Sequence, residues 1–224
     1  MERHMKVLIS GTSSGIGRET AILFLKEGHS VVGLDIKNST IEDKNYTHYI
    51  ADVSIPSSLP DVDGVDILIN SAGVQNTGKE IQVNLVGTVN TTEKYAFREG
   101  IKAVVNVASA SSHTGAEFPL YCASKGGVIA YTKNTALRLV KYSAICNSIS
   151  PGGVLTESNR PVMDDKKLWE EIMELTPLKK WATEEEIASW IYFLSVVNKS
   201  MSGEDILVDN GEAHLSSHFV WPEE

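Results

Sequence analysis

Short apolar stretches alternate with longer amphipathic ones along this chain. The short stretches are rich in β-branched residues and predict strands at Lys6–Ser10, Ser30–Asp35, Thr47–Ile50, Val65–Asn70, Ala103–Val107, Ala144–Ser150 and Asp205–Val208. The longer ones predict helices at about Ile16–Glu27, Lys79–Phe97, Tyr121–Val140, Met163–Glu174 and Glu184–Ser195. Strands that are apolar throughout and alternate with helices are typical of buried parallel sheets. The pattern predicts a doubly wound α/β fold of about seven parallel strands with helices on both faces.

No repeat, low-complexity tract or linker interrupts this alternation, so we expect a single Rossmann-like domain over residues 1–224. The connection from Asp52 to Val65 contains Pro56 and Pro60, which argue against a full crossover helix there. In open parallel sheets, ligands bind at the carboxyl ends of the strands. The residues that directly follow each predicted strand are therefore the first candidates for function.

Composition narrows the classes of function. The 224-residue chain has a formal net charge of -9 and no basic run longer than Lys179-Lys180, so neither a nucleic acid nor an anionic membrane is an expected partner. Cys122 and Cys146 are too few for a disulfide framework or a zinc site; we expect reduced thiols, a cytoplasmic location and no metal. The apolar run that ends at Ser10 is too short for a signal peptide or a membrane span.

A glycine-rich turn follows the first strand. Its glycines have the spacing G-x-x-x-G-x-G and lead directly into a predicted helix. Glycines let the backbone approach a pyrophosphate, and the free N–H groups of a helix N-terminus attract it. A flexible turn is the alternative, but the strand before and the helix after favour a nucleotide site. That site would be formed by Gly11, Ser13, Ser14, Gly15, Ile16 and Gly17.

The second strand ends in an acid, Asp35. A carboxylate at this position can accept hydrogen bonds from an adenosine ribose and would repel a 2′-phosphate, whereas the alternative is a solvated acid at a strand end. No arginine follows it, since the next residues are Ile36 and Lys37. NAD is therefore the expected cofactor, although Arg18 and Lys37 keep NADP open.

Two further turns lie where an adenosine would bind. Asp52 and Val53 follow the third strand, and Asn70, Ala72 and Gly73 follow the fourth. The small residues after Asn70 would allow close packing under a cofactor. Asparagine and glycine are also common in ordinary turns, which is the alternative here.

Tyr121 and Lys125 are four positions apart on a predicted helix and so share one face. A lysine charge beside a phenol favours the phenolate and lowers a pKa that is ordinarily about 10, which makes the tyrosine usable as an acid or base. Asn84 is also unusual, because it is a polar residue inside an apolar helix, where asparagine is a poor helix former. A buried amide with satisfied hydrogen bonds is the alternative for Asn84.

Ser109 comes just after the fifth strand and twelve positions before Tyr121, so its hydroxyl is expected at the strand ends. Ser111 and Ser112 in the same loop are alternatives. His113 is interpreted as a loop residue or substrate contact rather than a general base.

In this order the motifs resemble the classical short-chain dehydrogenase/reductase family over nearly the whole chain. The glycine turn resembles the family's T-G-x-x-x-G-x-G, with Ser10 in place of the threonine, and Asn70-Ser71-Ala72-Gly73 resembles N-N-A-G. The resemblance implies a catalytic tetrad of Asn84, Ser109, Tyr121 and Lys125. It also implies that Pro151, Gly152, Val154 and Thr156 hold the nicotinamide end of NAD.

The family implies reversible hydride transfer between nicotinamide and a secondary alcohol or ketone, with Tyr121 as acid and base. By the same analogy Lys125 binds the ribose, Ser109 donates a hydrogen bond to the substrate oxygen, and Asn84 anchors a water relay. A homodimer or homotetramer built from the helices of Asn84 and Tyr121 is also implied.

The substrate stays open: a hydroxysteroid, a 3-oxoacyl thioester or another small alcohol or carbonyl compound. Residues 156–180 have an apolar face that suits either a substrate lid or a helix packed on the core. The aromatic tail from His214 to Trp221 is expected to dock on this or a neighbouring subunit. An NAD-binding regulatory protein without turnover is the alternative function; the glycine spacing disfavours a sugar-nucleotide epimerase.

Overall fold

The computed structural model describes residues 4–116 and 118–215. Their strands form one parallel seven-stranded sheet in the order β3-β2-β1-β4-β5-β6-β7. The strands are β1 Lys6–Ser10, β2 Ser30–Asp35, β3 Tyr46–Ile50, β4 Ile67–Asn70, β5 Ala103–Val107, β6 Ile145–Pro151 and β7 Asp205–Val208. The predicted α/β fold is thereby confirmed. The strand order reverses beside β1, so the turns after β1 and β4 lie next to each other at the carboxyl edge.

Helices pack on both faces of the sheet. They are α1 Gly15–Lys26, α2 Gly87–Tyr95, α3 Ser111–Thr114, α4 Pro119–Leu139, α5 Arg160–Asp164, α6 Lys166–Leu175 and α7 Glu184–Tyr192. Neighbouring residues of a strand point to opposite faces, so each buried strand contributes to two cores. On one face Phe24 of α1 and Ile187 of α7 pack with Val7 and Ile9 of β1. On the other, Leu139 of α4 packs in the core that contains Leu8 of β1.

The two crossovers on either side of β3, both within the described residues, contain no α-helix. Between β3 and β4 the structure has only a single 3₁₀ turn, Pro56–Ser58, as the two prolines predict. Between β2 and β3, residues 36–45 are all described and contain no helix. As a result β3 is an edge strand whose residues are half-buried or exposed.

Two predicted helices differ from the structure. The predicted helix Lys79–Phe97 contains a π-helical segment, Ile81–Val86, that runs into α2. The prediction of one helix over Met163–Glu174 is wrong, because α5 ends at Asp164 and α6 begins at Lys166. Asp165 causes the break: its side chain accepts hydrogen bonds from the backbone N–H groups of Lys167 and Leu168 and so caps α6.

The end of the chain beyond Leu215, with the aromatic residues of the expected tail, lies outside the described residues. Among the residues that are described, no helix combines the length and the apolar character needed to cross a membrane.

Candidate active site

The glycine turn is tightly packed at the carboxyl edge of the sheet. Gly11 has a φ of +80°, and a Cβ there would lie 2.9 Å from the backbone of Ala72. A Cβ on Gly17 would lie 2.2 Å from the carbonyl oxygen of Gly11. Both positions therefore require glycine, for conformation at Gly11 and for space at both. Ser10 adds a tie to the neighbouring turn, since its Oγ accepts hydrogen bonds from the N–H groups of Ser71 and Ala72, both at 3.1 Å.

The N-terminus of α1 points its amide groups into a cradle. Its N-cap residue, Ser14, makes no capping hydrogen bond with its side chain, which leaves the first N–H groups of the helix for another acceptor. A Cβ on Gly15 would meet only Thr156 at 4.0 Å and Glu184 at 3.9 Å. Free N–H groups at a helix N-terminus are the kind of donors that bind a phosphate group, so they suit the pyrophosphate of a dinucleotide.

One carboxylate lies beside this cradle. Burial raises the pKa of Glu184, and the nearby carboxylates of Glu19 and Glu185 raise it further. The charge of Arg18 lowers the pKa of Glu184, but Arg18 is already engaged: its Nη1 lies 2.5 Å from Oε1 of Glu19, and its Nε donates to Oγ1 of Thr40 at 3.0 Å.

Asp35 is held by backbone N–H groups at the end of β2. One carboxylate oxygen accepts from the N–H of Ser13 at 3.0 Å, and the other accepts from the N–H of Lys37 at 2.9 Å. A carboxylate has about four acceptor positions, so each oxygen keeps capacity for a further donor. Asp35 and the glycine turn are thereby brought together, as the sequence predicts.

Lys125 is the most strongly perturbed charge near the sheet edge. It lies on α4, only 5% of its surface is exposed, and its Nζ donates to the carbonyl oxygen of Val107 at 2.7 Å. Burial lowers the pKa of Lys125 to about 8. The Nζ is 5.8 Å from the centroid of the Tyr121 ring, so the two side chains share one helix face as their spacing predicts.

Asn84 joins this group from the π-helical segment. Its Oδ1 accepts from the N–H of Val74 at 2.7 Å, and its Nδ2 donates to the carbonyl of Val74 and to Oγ of Ser124. A Cβ on Gly73 would lie 3.3 Å from Asn84 Oδ1 and 3.5 Å from Lys125 Nζ. Asn84, Gly73 and Lys125 thus meet at one point, and π-helical turns are often found at such functional positions.

Ser109 is buried beside Ser111. Its Oγ accepts hydrogen bonds from the hydroxyl of Ser111 at 2.9 Å and from the N–H of Ser111 at 3.3 Å. Because both of these groups donate to Ser109, its own hydroxyl proton stays available for a third partner. His113 is directed elsewhere: its Nε2 lies 2.7 Å from Oδ2 of Asp205.

Asn70, Asp52 and Val53, which were also expected at the cofactor site, make contacts within the protein. The Asn70 side chain is buried and donates to Thr92 and Asn106, so any contact from this residue to a nucleotide would come from its backbone. Asp52 accepts from the N–H of Ser54 in a local turn. Val53 packs against Gly87, where a Cβ would lie 2.5 Å from its Cγ2.

The segment after β6 follows the same edge. Val154 pairs with Ala182, and the N–H of Gly152 donates to the carbonyl of Val208 at 3.0 Å. Two residues here were not predicted. The indole of Trp181 packs on Gly153 and donates to Glu212 at 3.1 Å. In the sequence, only the adjacent glycines of the Pro151-Gly152-Gly153 turn indicate this contact, because a glycine leaves room for a large side chain to pack on the backbone.

Comparisons with known proteins show which family the chain resembles. A family model described as enoyl-(acyl carrier protein) reductase matches residues 11–212. The short chain dehydrogenase ausX of Penicillium brasilianum is 32% identical over 244 residues, covering 91% of this chain and 94% of that protein.

Two solved structures superpose closely. A 4-hydroxyisoleucine dehydrogenase complexed with NADH has a TM-score of 0.86 and 28% identity, covering 95% of this chain and 100% of that one. A putative 2-deoxy-D-gluconate 3-dehydrogenase from Agrobacterium tumefaciens with bound NADP has a TM-score of 0.84 and 26% identity, covering 94% and 97%.

The parallel sheet, the glycine cradle and these matches define a nucleotide-binding oxidoreductase. The chain belongs to the classical short-chain dehydrogenase/reductase family. It acts on alcohol or ketone groups of small molecules with a nicotinamide dinucleotide as cofactor.

Proposed function

We propose that this protein is an NAD(H)-dependent oxidoreductase that interconverts a secondary alcohol and a ketone, with Tyr121 as the acid and base. The observation that carries the proposal is the buried Lys125 ammonium, 5.8 Å from the Tyr121 ring at the edge where the glycine cradle lies. In a short-chain dehydrogenase/reductase, a lysine beside a tyrosine can assist proton transfer by the phenol. The alternative, an NAD-binding protein without turnover, could use Lys125 to bind the ribose but would have no need for the tyrosine beside it.

Lys125 prepares Tyr121 for proton transfer. With a pKa of about 8, Lys125 carries its charge at neutral pH. A positive charge near a phenol favours the phenolate, so it lowers the pKa of Tyr121 toward the working range of a general acid. In the reducing direction Tyr121 gives its proton to the substrate oxygen, and in the oxidising direction its phenolate accepts that proton.

Ser109 and Asn84 support that step. The hydroxyl proton of Ser109, left free by the donors on Ser111, is positioned to hydrogen bond the substrate oxygen as negative charge develops. Asn84 holds the backbone at Val74 beside Lys125, and we assign it to the water relay that returns a proton to the lysine.

The cofactor would be held by the glycine turn, by Asp35 and by the Pro151–Thr156 segment, with Ile36, Asp52, Val53, Asn70, Ala72 and Gly73 around the adenosine. When bound, it supplies the hydride and the redox chemistry. The choice of NAD rests on Asp35, whose carboxylate would accept ribose hydroxyls and repel a 2′-phosphate. The occupation of Arg18 by Glu19 and Thr40 supports the same choice, since Arg18 is then not free to pair with a phosphate.

The substrate would enter beside α5 and α6. We assign residues 156–180 as a lid segment. Helix α6, which lies in this segment, contains no buried residue, as suits an element that moves over a pocket. A hydroxysteroid, a 3-oxoacyl thioester or another small carbonyl compound is a reasonable substrate class.

The same proposal includes a homodimer or homotetramer. Leu137 of α4 and Val140, in the 3₁₀ turn directly after that helix, are 76% and 70% exposed, and an exposed apolar pair is suited to contact with a second copy. Light scattering on the purified protein would give the oligomeric state.

A substrate panel tests the function. The protein is mixed with NADH or NADPH and with ketosteroids, 3-oxoacyl thioesters, keto sugars and small ketones, and nicotinamide absorbance is followed. Alcohols with NAD or NADP test the reverse direction. We expect turnover of at least one compound, with a higher kcat/KM for NADH than for NADPH. Tight NADH binding without turnover of any compound would favour the regulatory alternative.

A further inference from the structure

A closed ring of hydrogen bonds joins the glycine turn to β2 and β3. The Tyr46 hydroxyl lies 2.8 Å from Thr12 Oγ1 and 2.9 Å from His48 Nδ1. His48 Nε2 lies 2.9 Å from the carbonyl oxygen of Lys37. The same carbonyl accepts from the Ser13 hydroxyl at 3.3 Å. Since Ser13 is bonded to Thr12 along the chain, the ring is closed.

Gly33 makes room for this ring. A Cβ on Gly33 would lie 2.1 Å from the Tyr46 hydroxyl and 2.4 Å from Thr12 Oγ1. Gly33 sits on β2 opposite His48 of β3, so only a residue without a side chain allows a tyrosine on β3 to reach across β2 to the glycine turn. Thr12 is completely buried at the point of contact.

The proton positions in the ring follow from its acceptors. The Lys37 carbonyl can only accept, so His48 Nε2 carries a proton. The Tyr46 hydroxyl donates to Thr12 Oγ1, and its oxygen also lies beside His48 Nδ1. Tyr46 is the centre of the ring, because its hydroxyl contacts both Thr12 and His48, and the Ser39 side chain hydrogen bonds it from outside the ring.

The ring encloses Asp35, the residue that would select the cofactor. Its two carboxylate oxygens accept from the N–H groups of Ser13 and Lys37, which are both ring members. Residues 36–45 contain no helix that could hold this corner against the sheet. The direction of the Asp35 carboxylate and the placement of the glycine turn therefore depend on β3 through Tyr46 and His48.

We propose that Tyr46 and His48 are positioning residues for nucleotide binding, which hold the glycine turn and Asp35 in the geometry that accepts an adenosine ribose. The inference rests on the proposed function, because it concerns how that same site recognises its cofactor. Neither residue contacts the reacting atoms, so the hydride-transfer step itself is expected to stay unchanged when the ring is broken.

The test uses the variant Tyr46→Phe in the full-length protein, with NADH and NADPH binding measured by nicotinamide fluorescence. We expect the Kd of NADH to rise about three- to tenfold, the size of one net hydrogen bond, while kcat at saturating NADH stays within about twofold of wild type. The ratio of NADPH Kd to NADH Kd should fall. Tyr49→Phe is the matched control, because Tyr49 is an exposed tyrosine on the same strand outside the ring.

A second readout needs no cofactor. Urea unfolding of Tyr46→Phe, Thr12→Val and the double variant forms a double-mutant cycle on the cofactor-free protein. We expect the double variant to be no less stable than the less stable single variant, because both remove the same contact. Additive effects would contradict the ring.

The outcomes separate the two proposals. An NADH Kd in Tyr46→Phe equal to wild type, or one raised equally by Tyr49→Phe, overturns the positioning role. A fall in kcat with unchanged Kd overturns it as well. A wild-type protein that binds NADPH more tightly than NADH overturns the proposed cofactor instead, and the positioning role is then judged by the same criteria on the NADPH Kd.

Discussion

Replacing Lys125 by methionine should stabilise the cofactor-free protein while abolishing turnover. Burial lowers the pKa of Lys125 from its ordinary 10.5 to about 8, which corresponds to a penalty of about 3 kcal/mol for keeping the charge in the folded state. Methionine has a similar length and suits an apolar environment. The loss of the hydrogen bond to the Val107 carbonyl offsets about 1 kcal/mol of the gain. We expect a net increase in unfolding free energy of about 2 kcal/mol at neutral pH.

The pH dependence of the unfolding free energy is a second test of this penalty. The folded-state pKa of Lys125 is below the unfolded value, so the unfolded state binds more protons between about pH 8 and pH 10.5, and wild-type stability rises with pH in that range. The cost of burying the Lys125 charge is at its maximum below about pH 8 and disappears as the pH rises toward 10.5. The advantage of Lys125→Met should therefore shrink to about zero near pH 9.5.

Urea unfolding of both proteins without cofactor, at pH 7 and pH 9.5, measures this difference. Lys133→Met is the matched control, since Lys133 is an exposed lysine on the same helix and should change stability by less than about 0.5 kcal/mol. A Lys125→Met protein that is less stable than wild type at pH 7, or whose difference from wild type does not change with pH, would refute the reasoning.

Two other substitutions test the cofactor site and its neighbourhood. Asp35→Ser should raise the ratio of kcat/KM for NADPH to that for NADH by about 10- to 100-fold, the size of hydrogen bonds to a charged group, whereas the exposed Asp43→Ser should leave it unchanged. An unchanged ratio in Asp35→Ser argues against cofactor selection by this carboxylate. Asn84→Ala leaves the N–H of Val74 without its buried acceptor and should lower the unfolding free energy by about 1–3 kcal/mol together with kcat. Urea unfolding measures the free energy and steady-state assays measure kcat. An unfolding free energy of Asn84→Ala equal to that of wild type would show that the amide has no such role.

The elements that the sequence predicts well are those defined by continuous burial. β1, β2 and β5 begin and end where the apolar runs do, because a strand buried on both faces shows its limits directly in composition. The position of Gly73 follows from the topology as well, since parallel strands place the turns that follow them at one edge, where Asn84 and Lys125 reach it from their helices.

Features that depend on one side chain or on register were beyond sequence reasoning. The break at Asp165 comes from a capping carboxylate inside an amphipathic run, whose apolar periodicity continues across it. The contact of Tyr46 with Thr12 exists only because Gly33 pairs opposite His48, and the pairing register of two strands is not visible in either strand alone.

Proton transfer by Tyr121 is tested by measuring kcat of Tyr121→Phe beside the Kd of NADH. The assay uses the compound of the panel that wild type turns over fastest. Tyr131→Phe is the control, because Tyr131 lies on the same helix but its hydroxyl donates to Glu93. We predict a fall in kcat of at least about a hundredfold in Tyr121→Phe, with an NADH Kd near that of wild type and near-normal turnover in Tyr131→Phe. Turnover retained in Tyr121→Phe would show that Tyr121 is not the acid and base.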